Sequence, residues 1–504
     1  MSRDVLVLGD QLGRGTGALG RAEPGRDRIV LVESLAKLAE RPWHRQKLAF
    51  VWSAMRHLAE ELRADGFEVA TTQAPTLRAG LADLGADPER TVVMAPSSHD
   101  LRATLRRWGV EQVANDAFIA GEEAFADWAG GRRSLGLEPF YRRVRAEHGW
   151  LMDGGEPLGG TWNLDADNRE RPPRGGVDAP RVAAPAEDAI DVAVQAELAD
   201  LETSMGLELY GAPGPRRFAA TRDEAERALA AFVEERLEGF GPLEDAVVAD
   251  EPYLWHSLLS APLNVGLLHP AEVCEAIDAA YRARAAAGAE PHLPSYEGAL
   301  RQICGWREYV WGLYWWRMPQ WREDNALGQT GAVPSCFWDG ETDMACVAGT
   351  VGDVLERAWV HHIPRLMILG NHALLAGVDP HALSDWFHGM FVDGYEWVML
   401  PNVVGMSQWA DGGVMATKPY ASGGRYLDRM TTYCGDCRFD PTQRTGEDAC
   451  PFTTLYWDFL ERHEERLRRN HRMRPAYGTL ERLGDDERAA LRARAAAWRA
   501  PPPA

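Results

Sequence analysis

The segment Val5-Leu6-Val7-Leu8-Gly9-Asp10-Gln11 begins with four apolar residues and ends in a small turn with two polar side chains. Similar short apolar runs follow at 29–32, 67–70 and 91–94, and a helix-like stretch from about Gln46 to Ala64 lies between two of them. Fully apolar strands that alternate with helices are typical of a doubly wound parallel sheet with both faces covered. We therefore predict an α/β domain at the N-terminus.

The polar residues that follow the first two strands form a candidate pocket. Ligands of doubly wound sheets bind at the carboxyl ends of the strands. This rule places Gly9, Asp10 and Gln11 after the first strand, and Glu33 after the second, at that edge. No G-x-G-x-x-G motif follows the first strand, so the sequence does not support dinucleotide binding there.

A change in composition divides the chain. We predict an α/β domain over residues 1–135, an interdomain linker over 136–205 that is rich in Gly and Pro from about 150 to 200, and a mainly helical domain over 206–504. The sequence Thr221-Arg-Asp-Glu224 predicts a capping box at a helix start. Further helices are expected near 269–288, 295–316, 351–376, 380–391, 453–470 and 485–499.

Overall composition excludes several classes of protein. The chain has 504 residues, is 45% apolar and contains neither a run long enough to span a bilayer nor a signal peptide, so we expect a cytoplasmic protein. The formal charge of −21 argues against broad, non-specific binding to DNA but allows a local basic groove. The 19 tryptophans exceed ordinary usage and are spaced so that an electron could hop between them.

Four cysteines have the spacing of a metal site. Cys434 and Cys437 form a C-x₂-C pair, Cys450 follows and is joined to Pro451, and Cys346 lies far upstream. A chain of this length does not need disulfides, so the thiolates indicate either zinc or a [4Fe–4S] cluster. Cys-Pro at the last position favours iron–sulfur. The alternative is four unrelated buried thiols.

Shorter motifs in the helical part carry side chains suited to a cofactor. The segment 255–264 places hydroxyls ahead of a helix, which suits a phosphate, although an ordinary helix cap is the commoner explanation. Trp306 and Arg307 could wall a pocket, or could be a core tryptophan beside a surface ion pair. His361 and Arg365 are expected on one helical face, and His362 on another.

Together these motifs resemble the photolyase/cryptochrome flavoproteins, and within them the bacterial iron–sulfur branch that includes prokaryotic (6-4) photolyases. The resemblance extends over essentially the whole chain and rests on the order of its motifs: the Val5–Gln11 start, Ser257–Ser260, Gly305–Tyr309, His361-His362-x-x-Arg365, Pro401-Asn402, Gly405–Gln408 and the four cysteines. It implies a large all-α FAD-binding domain after the α/β domain.

The resemblance also implies roles for individual residues. His362 would protonate the lesion, and Trp386 and Trp338 would carry electrons to FAD. Cys346, Cys434, Cys437 and Cys450 would hold a [4Fe–4S] cluster, and Asp10, Gln11 and Glu33 would bind a ribityl-lumazine antenna. The residues implied for FAD are His256, Ser257, Leu259, Ser260, Trp306, Arg307, Arg365 and Asp393.

One position departs from the pattern of the branch. Its photoreduction route reads Trp–Tyr–Trp, and the matching residues here are Trp386, Phe387 and Trp338. Phenylalanine is a poorer one-electron donor than tyrosine. The sequence alone therefore suggests that Phe387→Tyr would speed photoreduction, unless Trp386 passes its charge to another aromatic residue.

The resulting prediction is a light-driven DNA photolyase, expected to be monomeric, that repairs a (6-4) pyrimidine photoproduct flipped out of the duplex. One alternative is a blue-light cryptochrome photoreceptor of the same fold with little repair activity. Another is a zinc-stabilised nucleic-acid-binding protein without flavin.

Overall fold

The computed structural model describes residues 3–173, 175–499 and 501, and the N-terminal part of the chain forms a five-stranded parallel sheet. Side by side, the strands are Glu68–Ala74, Asp27–Ser34, Arg3–Leu6, Thr91–Met94 and Glu111–Val113. The chain builds outward in one direction and then returns to the centre, so the order reverses between Arg3–Leu6 and Thr91–Met94. This doubly wound topology confirms the predicted α/β class.

Alternation along the strands buries both faces of this sheet. Val5 and Val7 face the main core beneath the helix Arg45–Ala64, whereas Leu6 faces a smaller apolar cluster on the opposite side. That second cluster contains Leu81 and Leu105, which come from the helices on that face. Since successive strand residues point to opposite faces, an uninterrupted apolar run is what a sheet covered on both sides requires.

The rest of the chain is mainly helical, as predicted. In the first part the helices are Leu35–Leu38, Arg45–Ala64, Leu77–Asp83, His99–Arg107, Glu122–Ala129, Leu137–His148 and Ala189–Met205. After residue 206, the α-helices and π-helical turns are Arg222–Ala231, Phe232–Arg236, Leu237–Phe240, Ser260–Asn264, Pro270–Ala286, Leu293–Leu300, Arg301–Arg307, Glu308–Arg317, Cys336–Asp339, Ala345–Arg357, Pro364–Gly370, Asn371–Ala376, Pro380–Met390, Glu396–Met399, Leu400–Ser407, Gly424–Met430, Pro451–Arg462, Glu464–Leu467, Arg474–Leu480 and Asp485–Ala495. Thr221 caps the first of these by accepting a hydrogen bond from the Glu224 N–H at 3.2 Å.

The single helix predicted over 351–376 is wrong, because the structure divides it in two. Ala345–Arg357 ends at Ala358, which has a left-handed φ of 54°. The Ala358 carbonyl then accepts from the Val392 N–H at 2.9 Å, so the chain leaves the helix axis before the next helical segment begins. His361 therefore precedes the second helical segment and does not share a helical face with Arg365.

The segment 136–205, predicted as a linker, is less irregular than its composition suggests. It includes Leu137–His148 and the 17-residue helix Ala189–Met205. Asp188 begins the second helix with a complete capping box. Ion pairs from Arg45 to Glu202 and from Arg56 to Glu197, both 2.6 Å, tie that helix to Arg45–Ala64.

The α/β and helical parts share one apolar core. A single buried cluster begins at Val5 in the first strand and extends to Ala410 in the helical part. Within the described residues, no helix is both long and apolar enough to cross a bilayer.

Candidate active site

A buried ion pair lies at the centre of the helical part. Arg365 donates from Nη1 and Nη2 to the two Asp393 carboxylate oxygens at 2.8 and 3.0 Å, and its Nε donates to the Val360 carbonyl at 2.7 Å. Burial alone would raise the pKa of the Asp393 carboxyl. The Arg365 charge and its hydrogen bonds outweigh burial and hold that pKa below its usual range. The pair therefore presents a fixed cation beside a fixed carboxylate.

Polar contacts extend from Asp393 to residues far away in sequence. The Ser260 hydroxyl donates to the Asp393 carboxylate at 2.6 Å, and the Asn264 amide donates to the Asp393 carbonyl at 2.9 Å. Arg307 donates in turn to the Asn264 amide oxygen at 2.6 Å. Ser260 and Asn264 are the two ends of one short helix, so this helix joins the ion pair to Arg307.

Arg307 is a half-buried cation that has no carboxylate partner in the described part of the chain. Its guanidinium packs against the Phe118 and Trp397 rings, 4.6 and 4.9 Å from their centroids. Burial lowers its pKa to about 10. Its Nη1 and Nη2 atoms donate to the Asn264 amide oxygen and the Leu263 carbonyl at 2.6 and 3.2 Å, its Nε has no hydrogen-bond partner, and no ion pair joins it to a carboxylate among the described residues. Because a buried charge is stable only when compensated, this position suits an anionic ligand.

Two histidine rings, the buried His361 and the half-buried His256, are stacked beside the ion pair. The His256 and His361 centroids are 4.3 Å apart with a tilt of 19°. Burial lowers both pKa values, that of His256 to about 3, so both rings are neutral. His256 Nε2 and His361 Nδ1 are buried without a partner in the described structure. Such unsatisfied atoms, together with Arg307, mark a place where a polar ligand fits.

His362, the next residue after His361, is exposed where the stack is not. Its side chain is exposed, yet protein atoms surround it densely enough to lower its pKa to about 4, and the Arg365 charge adds to that effect. The ring therefore lies in a concave part of the surface, close to Arg365, and is neutral at neutral pH.

The other residues implied for a cofactor lie on nearby elements. Ser257 accepts from the Leu259 N–H at 3.4 Å just before the helix that begins at Ser260, and Leu259 is fully buried. Trp306 is half-buried on the π-helical turn Arg301–Arg307, and its ring packs edge-on against Tyr309 at 6.0 Å.

Aromatic rings extend outward from the ion pair. Phe391 lies 4.3 Å from the Arg365 guanidinium and 5.8 Å from the Trp386 ring. Trp386, which is 2% exposed, contacts both Phe387 at 5.1 Å and Trp338 at 6.4 Å. Since the two tryptophans touch directly, Phe387 is not a necessary step between them.

The four cysteines of the predicted cluster come together. Cys346 lies in the first turn of Ala345–Arg357, and Cys450 immediately precedes the helix Pro451–Arg462. Burial, and then the charges of the neighbouring thiolates, raise the pKa of Cys346 and raise that of Cys434 to about 12. The described residues contain one group of three ligand atoms within 4.8 Å of one another, formed by His57, Asp188 and Asp191, and no cysteine belongs to it. The four thiols are therefore neighbours, but no three of their sulfurs lie mutually within 4.8 Å.

The three residues predicted at the sheet edge separate into two environments. The Asp10 carboxylate accepts from the Ser97 hydroxyl, and the Gln11 amide donates to the Met94 carbonyl at 2.8 Å, so both lie where the strand order reverses. Burial raises the pKa of Asp10, and the Gln11 Oε1 atom is buried without a partner. Glu33 instead accepts two hydrogen bonds from Arg56, both at 2.7 Å. Asp10 and Gln11 thus lie together at the edge where the strand order reverses, whereas the Glu33 carboxylate is paired with Arg56.

Comparison with known proteins identifies the family. A family model described as "Deoxyribodipyrimidine photo-lyase-related protein" matches residues 5–207. A (6-4) photolyase from Agrobacterium fabrum (strain C58 / ATCC 33970) is 42% identical over 514 residues, covering 99% of this chain and 99% of that protein. The chain belongs to the photolyase/cryptochrome family.

A solved structure supports the photolyase fold. The crystal structure of a bacterial class III photolyase from Agrobacterium tumefaciens superimposes with a TM-score of 0.54, covering 84% of this chain and 82% of that chain. Identity across this superposition is 17%, so it supports the architecture alone.

Sequence reasoning missed two residues that the structure adds to this photolyase-family site. Arg236 is 4% exposed and donates to the His256 carbonyl at 3.0 Å, and burial lowers its pKa. Asn264 joins Asp393 to Arg307. Arg236 lies outside the motifs read from the sequence, and Asn264 closes the 255–264 segment without a signal of its own, because each acts through a partner distant in sequence. A helical arginine such as Arg236 is indistinguishable in sequence from a solvated one.

Proposed function

We propose that this protein is a DNA photolyase that repairs (6-4) pyrimidine photoproducts with light, using FAD bound in the helical part. The observation that carries the proposal is the buried Arg365–Asp393 pair with an exposed histidine, His362, beside it. Full-length similarity to a (6-4) photolyase supports the same reaction. A lesion flipped from the duplex needs only a local pocket, which is compatible with a net charge of −21.

The uncompensated buried groups agree with the binding of FAD. We propose that Arg307 faces its phosphates and that His256, with Ser257, Leu259 and Ser260, lines the phosphate and ribityl chain. Trp306, Arg365 and Asp393 would line the flavin ring, with the carboxylate accepting and the guanidinium donating hydrogen bonds. Bound FAD supplies light absorption and, when reduced, transfer of one electron to the lesion. The chain itself holds fixed charges against that ring.

His362 is the proposed proton donor. Its ring is the exposed member of the His361–His362 pair, so a flipped base could reach it. A pKa near 4 means that the free protein holds this ring neutral at pH 7. Phosphates of bound DNA would add negative charge nearby and raise the pKa, so protonation would accompany lesion binding.

The cysteines favour iron–sulfur over zinc. Four thiolates bound to one zinc ion at about 2.3 Å lie about 3.8 Å apart. The absence of these sulfurs from the described groups within 4.8 Å indicates wider spacing, which suits a [4Fe–4S] cluster held by Cys346, Cys434, Cys437 and Cys450. Raised thiol pKa values mean that cluster binding releases protons.

The sheet edge is proposed as the antenna site. Asp10 and the unpartnered Gln11 Oε1 atom would bind polar groups of a ribityl-lumazine at the point where the strand order reverses. Glu33 would contribute only if its ion pair with Arg56 opened.

Trp386 and Trp338 are proposed to carry electrons to oxidised FAD.

Repair is tested directly with defined substrates. Dithionite-reduced holoprotein is irradiated with oligonucleotides that carry one (6-4) photoproduct or one cyclobutane dimer, and products are separated by chromatography. We expect the (6-4) oligonucleotide to be restored in light and not in the dark. Restoration of the cyclobutane dimer alone would contradict the lesion assignment. No restoration by fully reduced, flavin-loaded protein would favour a photoreceptor.

A further inference from the structure

The outer tryptophan of the proposed electron route has a tyrosine against it. The Tyr210 ring lies 4.8 Å from the Trp338 ring, tilted by 42°, which is closer than Trp338 lies to Trp386. Trp386 is 2% exposed, whereas Trp338 and Tyr210 are both partly exposed. The three rings therefore form a continuous path from the buried side of the helical part to solvent.

The backbone fixes Tyr210 in this position. Leu209–Tyr210 pairs in parallel with Trp43–His44, so a short strand joins the α/β part to the start of the helical part. The next residue, Gly211, has a φ of 78°, and a Cβ atom there would lie 2.0 Å from the His44 ring. Only glycine permits this close approach. The contact between Tyr210 and Trp338 is thus built into the connection between the two parts.

A carboxylate is placed to take the proton of Tyr210. The Tyr210 hydroxyl donates to Glu208 Oε1 at 2.6 Å, and Glu208 is exposed. Burial, and then this hydrogen bond, raise the pKa of Tyr210 to about 12, so the phenol stays protonated in the resting protein. A hydrogen bond to an ionised acceptor is short and strong, and it gives the proton a defined destination.

We propose that Tyr210 is the terminal electron donor of this route and that Glu208 is its proton acceptor. The proposal rests on the proposed flavin photochemistry, because photoexcited oxidised FAD is the oxidant that draws an electron through Trp386 and Trp338. Tyr210 then gives one electron to oxidised Trp338, and its hydroxyl proton moves to the Glu208 carboxylate. The products are a neutral tyrosyl radical, a neutral tryptophan and a glutamic acid, and an external thiol later restores the tyrosine.

Proton movement makes the charge separation long-lived. An oxidised tryptophan in the interior can take its electron back along the same rings. Return from Tyr210 requires the electron and the Glu208 proton to move together, so it is slower. Because Glu208 is exposed, that proton also exchanges with solvent.

Transient absorption after a blue flash, with oxidised holoprotein and no thiol, tests the proposal. We expect a tryptophan radical that decays into a tyrosyl radical, with the conversion slowed in D₂O. Tyr210→Phe should abolish the tyrosyl signal and leave only a tryptophan radical. Glu208→Gln should delay the tyrosyl signal, because the hydrogen bond remains but the base is lost. The matched control is Tyr296→Phe, which removes a hydroxyl that donates to Glu238 at 2.8 Å.

The outcomes separate this proposal from the proposed repair function. A tyrosyl radical that persists in Tyr210→Phe, or that disappears in Tyr296→Phe, would overturn it, as would a normal rate in Glu208→Gln. Repair is measured separately in dithionite-reduced protein, which needs no photoreduction. Tyr210→Phe should repair normally there. Failure of the parent protein in that assay would instead count against the repair function.

Discussion

At the scale of single residues, His362 combines two properties that conflict in a proton donor. Its ring is exposed enough to meet a base, yet dense surroundings and Arg365 lower its pKa to about 4. A neutral imidazole can accept a proton at pH 7 but is a poor acid. In the proposed reaction, bound phosphates would have to raise the pKa before the ring could donate, which would couple donation to DNA binding.

We predict that His362→Ala binds FAD and photoreduces normally while losing (6-4) repair. Removal of a general acid costs about 10²–10⁴-fold in rate. Repair is followed by chromatography in reduced protein, and flavin content by absorbance after denaturation. Repair within a few-fold of the parent would show that this histidine is structural.

A second prediction concerns Trp386 and Phe387. Replacement of Trp386 by Phe should stop photoreduction, since Trp386 is the proposed first donor and lies next to Phe391, which contacts the ion pair. The direct contact of Trp386 with Trp338 reverses the expectation from sequence, and Phe387→Tyr should leave the photoreduction rate unchanged. Both rates are read from flavin absorbance under blue light. Faster photoreduction in Phe387→Tyr would show that residue 387 takes part in electron transfer between Trp386 and Trp338.

A third prediction uses the buried His372. Its ring lies between Phe337 and Phe452, both ring nitrogens lack partners in the described structure, and burial lowers its pKa to about 4. Because an unfolded histidine titrates near 6.5, the unfolded chain takes up a proton between pH 6.5 and 4 that the folded protein does not. The free energy of unfolding therefore decreases as the pH decreases through this window, by up to about 1.4 kcal/mol per pH unit.

His372→Phe should weaken that acid sensitivity. The difference in unfolding free energy between variant and parent should shift in favour of the variant as pH falls from 6.5 towards 4. Urea unfolding at pH 7, 6 and 5 measures it. The slope decides the outcome. A constant offset, which gives parallel profiles, would show repacking only and would mean that His372 has the same pKa in the folded and the unfolded protein.

At the scale of elements, sequence predicted what depends on local pattern. The apolar run at Val5 fixes a strand covered on both faces, and cysteine spacing grouped the four thiols. Prediction from sequence failed where contacts between residues distant in the chain determine the structure. The left-handed Ala358 accepts a hydrogen bond from the Val392 N–H, and this break, which the helical periodicity does not reveal, places His361 before the second helical segment. The bond between Ser260 and Asp393 spans 133 residues and has no local signal.

The loop that carries three of the cysteines depends on distant elements in the same way. It is tied to the C-terminal helix by an ion pair from Arg444 to Glu487 at 2.9 Å, and Phe439 packs on Trp498 at 5.7 Å. A cluster that also binds Cys346 would join this unit to the middle helices. Loss of one thiolate removes coordination energy that belongs to folding.

Cys437→Ala should therefore be insoluble or poor in both iron and flavin. The matched control is Cys274→Ala, which removes a fully buried thiol outside the set and should remain soluble and loaded. Iron, sulfide and flavin are quantified per chain. A soluble Cys437→Ala with full iron and flavin would show that the four cysteines do not share a site.

At the scale of the whole molecule, the α/β part supports the site in the helical part. Lys47, on the helix Arg45–Ala64, is 4% exposed and donates to the carbonyls of His388 and Gly394. These carbonyls flank the loop that carries Asp393. Burial lowers the Lys47 pKa, while the Asp393 charge opposes that shift. The lysine thus fixes one half of the ion pair from the other part of the molecule.

We predict that Lys47→Met lowers both stability and flavin retention. Methionine keeps the length of the side chain but leaves two carbonyls without their donor, and an unsatisfied buried group costs about 1–3 kcal/mol. Asp393 would then be held less firmly, so FAD should dissociate faster, as measured by the rise of free-flavin fluorescence on dilution. The control is Lys37→Met, because Lys37 is more than half exposed and, within the described residues, forms an ion pair with Glu40 alone. Equal dissociation rates in Lys47→Met and the parent would mean that the helical part positions Asp393 without this contact, through Arg365, Ser260 and Asn264 alone.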